Sequence, residues 1–174
     1  MQKRANGTTL KGSPLTLIGP QLKKGDKAPS FTCATGIKDT LSFAQTPAKA
    51  RLFSVVPSLD TPVCSMQTKK FSDQLAALGD KVACYTVSLD LPFAMGRFCG
   101  AEGVKSLTNL SDAHDRSFGQ AYGVLIEGLA IPLLSRAVFV VDANGTITHA
   151  EYVPEIATEP NYDAALAALK AASG

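Results

Sequence analysis

The chain of 174 residues has no tryptophan, only two histidines and four cysteines, and its 17 basic and 15 acidic side chains nearly cancel to a net charge of +2. Each scarcity excludes something. A charge this small sets up no field to recruit nucleic acid or an anionic membrane surface. The basic residues near the start, Lys3, Arg4, Lys11, Lys23, Lys24 and Lys27, are diluted by glycine, proline and leucine and read as a solvated segment. No apolar run is long enough to span a bilayer, and residues 1–12 lack the apolar stretch of a signal peptide, so a soluble, cytoplasmic protein is expected. Cys33, Cys64, Cys84 and Cys99 are too sparse for the disulfide framework of a small secreted domain. There is no Cys-x-x-Cys pair, and His114 and His149 are remote in sequence from every cysteine, so a zinc site is not expected. Cysteines in a reducing compartment then remain as inert core residues or as redox or nucleophilic catalysts.

A hydrophobic content of 45% is enough to build one core, so residues 1–174 are expected to form a single domain. Two short alternating runs around Gly12-Ser13-Pro14 predict an N-terminal β-hairpin over about 8–18. Short strands are expected at 30–35 and 40–43. The continuous apolar run Arg51–Val56 suits a strand buried on both faces. From Val63 to Leu78 the apolar residues share one helical face, with Gly79 as a closing cap. Lys81–Ser88 is the next strand, which makes a parallel crossover unit. Asp90 with Pro92 starts a second helix through Phe98 and Cys99, ending in glycines. A short strand at 106–110 and a short helix at 116–122 follow. Asn144-Gly145 between two apolar runs marks a hairpin over 136–153, and residues 161–172 form a last helix. The sum is an α/β protein of thioredoxin-like fold, a mixed central sheet with helices on both faces.

Pro57-Ser-Leu-Asp-Thr61-Pro-Val-Cys64 puts a cysteine in the first turn of a predicted helix, where unpaired N–H groups and the helix dipole favour an anion. Thr61 stands where a capping hydroxyl belongs, and Pro57 and Pro62 stiffen the loop. Ionising a free thiol of pKa ~8.5 raises its reactive fraction at pH 7 only about thirtyfold, so a large rate needs donors that stabilise the transition state. A cation beside the sulfur is therefore expected. Arg136, at the head of the apolar run Ala137–Val141, is the candidate, although its local sequence alone favours an ordinary strand-end residue that snorkels to water. Cys33 and Cys84, in strand-like runs, read as inert core residues. Two other classes stay open: a non-enzymatic redox switch, and a cysteine hydrolase using His149 as base.

The motif Pro57-x-x-x-Thr61-x-x-Cys64 resembles the peroxiredoxin signature. Asp90-Leu-Pro-Phe-Ala-x-x-Arg97-Phe-Cys99-Gly-Ala-Glu-Gly103 is similar to the second-cysteine segment of bacterial thiol peroxidases, the atypical two-cysteine peroxiredoxins. The likeness extends to Gln120-Ala-Tyr-Gly123, Arg136-Ala-Val and Thr158-Glu-Pro-x-Tyr162. It implies that Cys64 attacks hydrogen peroxide or alkyl hydroperoxides and becomes a sulfenic acid. Thr61 and Arg136 would hold the peroxide oxygens, and Pro57 would shield the site. Cys99 would be the resolving cysteine that forms a disulfide with Cys64, thioredoxin the reductant, a homodimer the assembly, and no metal, haem or flavin a cofactor. Where relatives often carry arginine after the nucleophile, this chain has Lys69 and Lys70. A disulfide needs Cα atoms within roughly 4.4–6.8 Å, so two cysteines on different packed helices require local unwinding before they join.

Overall fold

The computed structural model describes residues 1–174. The chain opens with strands β1 (Lys3–Leu10) and β2 (Ser13–Ile18), turned at Lys11 and Gly12, both at positive φ. The hairpin thus begins before the expected Thr8. The cause lies in Arg4, which is half-buried rather than wholly solvated: its guanidinium lies 4.9 Å from the centroid of the Tyr152 ring, and its Nε donates to the Gly19 carbonyl at 3.1 Å. That contact ties the start of the chain to the body of the protein.

Then follow β3 (Thr32–Ala34), β4 (Thr40–Ser42), β5 (Ala50–Val55), α1 (Pro62–Leu75), β6 (Val82–Ser88), α2 (Pro92–Glu102), β7 (Thr108–Ser111), α3 (Ser117–Ala121), β8 (Leu125–Glu127), β9 (Ala137–Val141), β10 (Ile147–Tyr152) and α4 (Tyr162–Ala172). The large sheet has the order β10-β9-β5-β6-β7-β3-β4, and β1, β2 and β8 form a small second sheet. Strands β5, β6 and β7 run parallel, whereas β9 is antiparallel to β5 and β10 to β9. Every residue of β5 is buried, as its unbroken apolar run demands of a strand covered on both sides.

Alternate residues of the central strands feed two cores, following the two-residue period of a strand. Phe53, Val55, Tyr85, Val87 and Phe139 meet Phe118 of α3 and the neighbouring Tyr122 on one face. Leu52, Cys84, Val138 and Val140 meet Phe71 and Leu75 of α1 and Leu166 and Leu169 of α4 on the other. The mixed sheet with helices on both faces is therefore present.

Three local readings change. Gly79 does not cap α1, which ends at Leu75; it sits inside a following 3₁₀ turn, Ala76–Lys81, at φ 50° and ψ −132°, a backbone region that glycine tolerates. Helix α2 starts at Pro92 with Leu91, not Asp90, at its N-cap. Strand β8 was not anticipated: it has three residues, too few for a period to show, and pairs with β2.

Candidate active site

The parallel crossover brings Cys64 to the end of the sheet at which β5 finishes. Past Val55 the chain runs through buried Val56 and Pro57, and the Thr61 amide donates to the Ser58 carbonyl at 3.1 Å to close a turn. Thr61 has the extended backbone of an N-cap, and Pro62 occupies the first turn of α1. The expected capping bond is not made. Thr61 Oγ1 donates to the Ser58 carbonyl at 2.8 Å instead, on the exposed side of the turn. No side chain claims the first N–H groups of α1, so that end keeps its attraction for an anion.

Cys64 is fully buried, packed with Val56, Leu59, Met95 and the half-buried Phe98. The surroundings are apolar on all sides but one, where Arg136 donates from Nη2 to Cys64 Sγ at 3.3 Å. Arg136 is only 2% exposed, which overturns the snorkelling reading that its local sequence favoured. The rest of the guanidinium is fixed: Nη1 donates to Gln67 Oε1 at 2.8 Å, and Nε and Nη2 donate to the Ile156 carbonyl at 2.9 and 2.7 Å. Gln67 is held in turn by its Nε2 donating to Ser54 Oγ at 2.8 Å. None of the protein's salt bridges involves Arg136. A buried guanidinium with no carboxylate in salt-bridge contact is costly, and the side-chain groups it meets directly are the Gln67 amide oxygen and Cys64 Sγ.

The carbonyl that grips Arg136 is itself secured by the small sheet. Ile156 donates its N–H to the Thr9 carbonyl at 3.0 Å, and its side chain packs with Leu17 and Ile126. Glu155 accepts from the Gly12 N–H at 2.9 Å and from Thr9 Oγ1 at 3.1 Å. The N-terminal hairpin thereby buttresses the arginine from outside the main sheet.

Cys99 lies near the end of α2, half-buried, with its Sγ 3.4 Å from Asn109 Oδ1. All four cysteines are free thiols. Cys33 is 3.7 Å from Asp112 Oδ1, and burial together with that carboxylate pushes its thiol up. Burial likewise pushes the Cys84 thiol up, to about 12. Both match the expectation of inert core residues.

Sequence reasoning missed Ser54, Gln67 and Ile156. Two signals were available: Gln67 lies three residues after Cys64, hence on the same side of a helix, and Ser54 is polar inside a doubly buried strand and so needs a partner. Ile156 acts through its backbone, for which no sequence signal exists. The histidines stand apart from this cluster. His114 is exposed, and His149 pairs with Val140, toward the far end of β9 from Arg136. No three His, Cys, Asp or Glu side chains converge as metal ligands would.

A family model described as Redoxin matches residues 23–166. The chain is 48% identical over 163 residues to a thiol peroxidase of Bacillus subtilis, covering 94% of this chain and 96% of that one. It is 49% identical over 164 residues to a thiol peroxidase of Halalkalibacterium halodurans, covering 94% and 97%. Among solved structures, a peroxiredoxin-like protein from Aquifex aeolicus superposes with a TM-score of 0.88 at 40% identity, covering 97% of this chain and 96% of that chain. With a first-turn cysteine facing a buried arginine, and with this extent of likeness, the chain belongs to the redoxin family, among its thiol peroxidases.

Proposed function

We propose that this protein is a thiol-dependent peroxidase whose nucleophile is Cys64. One observation carries the reading: Arg136 is buried without a carboxylate partner and directs Nη2 at Cys64 Sγ from 3.3 Å. The thiolate attacks one peroxide oxygen, so an S–O bond forms as the O–O bond breaks. The leaving oxygen takes a proton and departs as water or alcohol. Charge moves from sulfur to that oxygen during the step, and the Arg136 guanidinium, in contact with Cys64 Sγ, and the first-turn amides of α1 are the donors that stabilise it. Thr61, whose hydroxyl now donates to the Ser58 carbonyl, turns to the bound peroxide. Buried Pro57 excludes water from the sulfur.

Cys99 thiol then displaces hydroxide from the Cys64 sulfenic acid, giving a Cys64–Cys99 disulfide and water. A dithiol protein of the thioredoxin class restores both thiols by exchange. The large exposed side chains Ile37, Leu91, Phe93 and Ile131 support a homodimer, and no helix is long and apolar enough to cross a membrane, which accords with a cytoplasmic location. Hydrogen peroxide and alkyl hydroperoxides are the substrates, with no metal or organic cofactor.

Peroxide turnover with thioredoxin, its reductase and NADPH tests the reading in wild type, Cys64→Ser and Cys99→Ser. Wild type is expected to cycle, Cys64→Ser to be inert, and Cys99→Ser to consume one equivalent and stall with this donor. Stoichiometric consumption by wild type, without cycling, would make the pair a redox switch instead.

A further inference from the structure

Asp90 lies between β6 and α2, and the Cys64 loop and the Cys99 helix meet at it. It is tied to the main sheet by two serines. Ser88 at the end of β6 donates from Oγ to Asp90 Oδ2 at 2.9 Å, and Ser111 at the end of β7 donates from Oγ to the Asp90 carbonyl at 2.6 Å. Ser88 and Ser111 are both fully buried. From this anchor the carboxylate reaches across to the turn that leads into α1. Oδ1 accepts from Ser58 Oγ at 2.8 Å, and Oδ2 accepts from the Leu59 N–H at 2.8 Å. Leu59 is one of the side chains that seal Cys64. Two residues further on, Pro92 begins the helix that carries Cys99.

Other fasteners between these segments are weaker. Arg97 to Asp60 spans 3.6 Å with both side chains about seventy per cent exposed, and Lys69 to Glu102 spans 3.0 Å with both side chains still exposed, though less so. Exposed pairs of this kind contribute little. A carboxylate that receives three donors in a part-buried position holds more firmly.

We propose that Asp90 is a positioning residue, a latch that holds the Ser58–Leu59 turn closed over Cys64 during peroxide attack and must release it before Cys99 can reach the sulfur. The inference rests on the reading of Cys64 and Cys99 given above. The closed arrangement is the one in which Arg136 faces Cys64 and both thiols are free. Disulfide formation needs the other arrangement, with the first turn of α1 unwound. Loosening the latch shifts the balance toward the open form, so the two chemical steps must respond in opposite directions. A residue needed only for general stability would not separate them.

The latch contributes two hydrogen bonds to the turn, and losing both is worth at least about tenfold in the closed-to-open balance. Because the closed form predominates, that shift raises the rate of a step that waits for opening at least about tenfold and lowers peroxide attack by no more than a few-fold. Asp90→Ala, Asp90→Asn and Ser58→Ala are the variants. Asparagine can still accept from Leu59 and donate to Ser58, so it should restore most of the wild-type behaviour. Ser58→Ala removes one of the two latch bonds, together with the 3.2 Å bond from the exposed Asp60 N–H to the Ser58 hydroxyl, and leaves the sheet anchor intact.

The test is rapid mixing with peroxide, quenching with a thiol-blocking reagent and mass analysis of the Cys64 sulfenic, sulfinic and disulfide forms. In Asp90→Ala the disulfide should form at least about tenfold faster, peroxide attack should slow, and the peroxide concentration that gives half sulfinic acid should rise at least about tenfold. Ser58→Ala should move each quantity the same way by less. Both steps slowing together, or neither changing, in Ser58→Ala would overturn the latch even if Asp90→Ala fails to fold. Absence of any Cys64–Cys99 disulfide in wild type would overturn the underlying reading as well, whereas its normal formation with unchanged variant rates would remove the latch alone.

Discussion

Two sulfurs in this protein are equally sealed from water and differ in what faces them. Cys33 is 1% exposed and Cys64 is 0% exposed. Cys33 has a carboxylate oxygen of Asp112 at 3.7 Å, whereas Cys64 has a guanidinium nitrogen of Arg136 at 3.3 Å. Burial opposes ionisation of Cys33. The carboxylate beside Cys33 adds to that opposition, whereas Cys64 faces a guanidinium that makes no salt-bridge contact with a carboxylate. The difference teaches that exposure does not tell the two sulfurs apart and that the charge facing each one does, which is the ground on which Cys64 is proposed as the nucleophile.

Removing the cation should break the comparison most severely. Arg136→Gln leaves Cys64 with only the amides of α1, and the second-order rate of peroxide attack is expected to fall about 10²–10³-fold, the range for losing one preorganised donor. Stopped-flow consumption of peroxide measures it, and a loss below tenfold would assign the rate to the helix terminus instead. Gln67→Leu should act in the same direction at about tenfold. It leaves the Arg136 Nη1 and Ser54 hydroxyl without their partner, which adds about 1–3 kcal/mol of instability by denaturant unfolding. An unchanged rate at reduced stability would make Gln67 a packing residue only.

On the other side of the comparison, Asp112 sharpens the contrast through pH. Its carboxyl accepts the N–H groups of Phe118 and Gly119 at 2.9 and 2.7 Å, yet burial dominates and raises it to about 6 from 3.8. A raised acid binds its proton more tightly in the folded state, so its stabilising contribution is complete below pH 4 and is lost as pH rises through about 6. Asp112→Asn should flatten the stability profile between those values and cost about 1–3 kcal/mol, because its amide meets an N–H donor. Denaturant midpoints from pH 4 to 7 would show it, and an unaltered slope would contradict the assignment. The smallest effect belongs to Cys33→Ala, with peroxide turnover unchanged and about 1 kcal/mol of core stability lost. A fall in turnover there would give Cys33 a role that its surroundings do not suggest.

Much of this contrast was legible before any coordinates. The run Arg51–Val56 gave a buried central strand, Asn144-Gly145 gave the terminal hairpin, and the helix-start position of Cys64 singled it out from Cys33 and Cys84. These are local signals, in which neighbours in sequence decide the outcome. The arginine network is not local: Ser54 of β5, Gln67 of α1, Arg136 before β9 and the Ile156 carbonyl beyond β10 converge only once the sheet has closed. For that reason Arg136 looked like a strand-end residue free to reach water. Thr61 misled in the opposite sense: its type and position fit a cap, but its hydroxyl turns to donate to the Ser58 carbonyl at 2.8 Å and makes no bond to the first amides of α1.

The most direct measurement is the rate at which iodoacetamide modifies Cys64, followed from pH 5 to 10 in wild type and in Arg136→Gln. If the guanidinium holds the sulfur as a thiolate, wild type should react at least about tenfold faster at pH 7, and the gap should close toward pH 10, where hydroxide ionises both thiols. Equal rates at pH 7 would contradict the pairing of Cys64 with Arg136 as the source of reactivity.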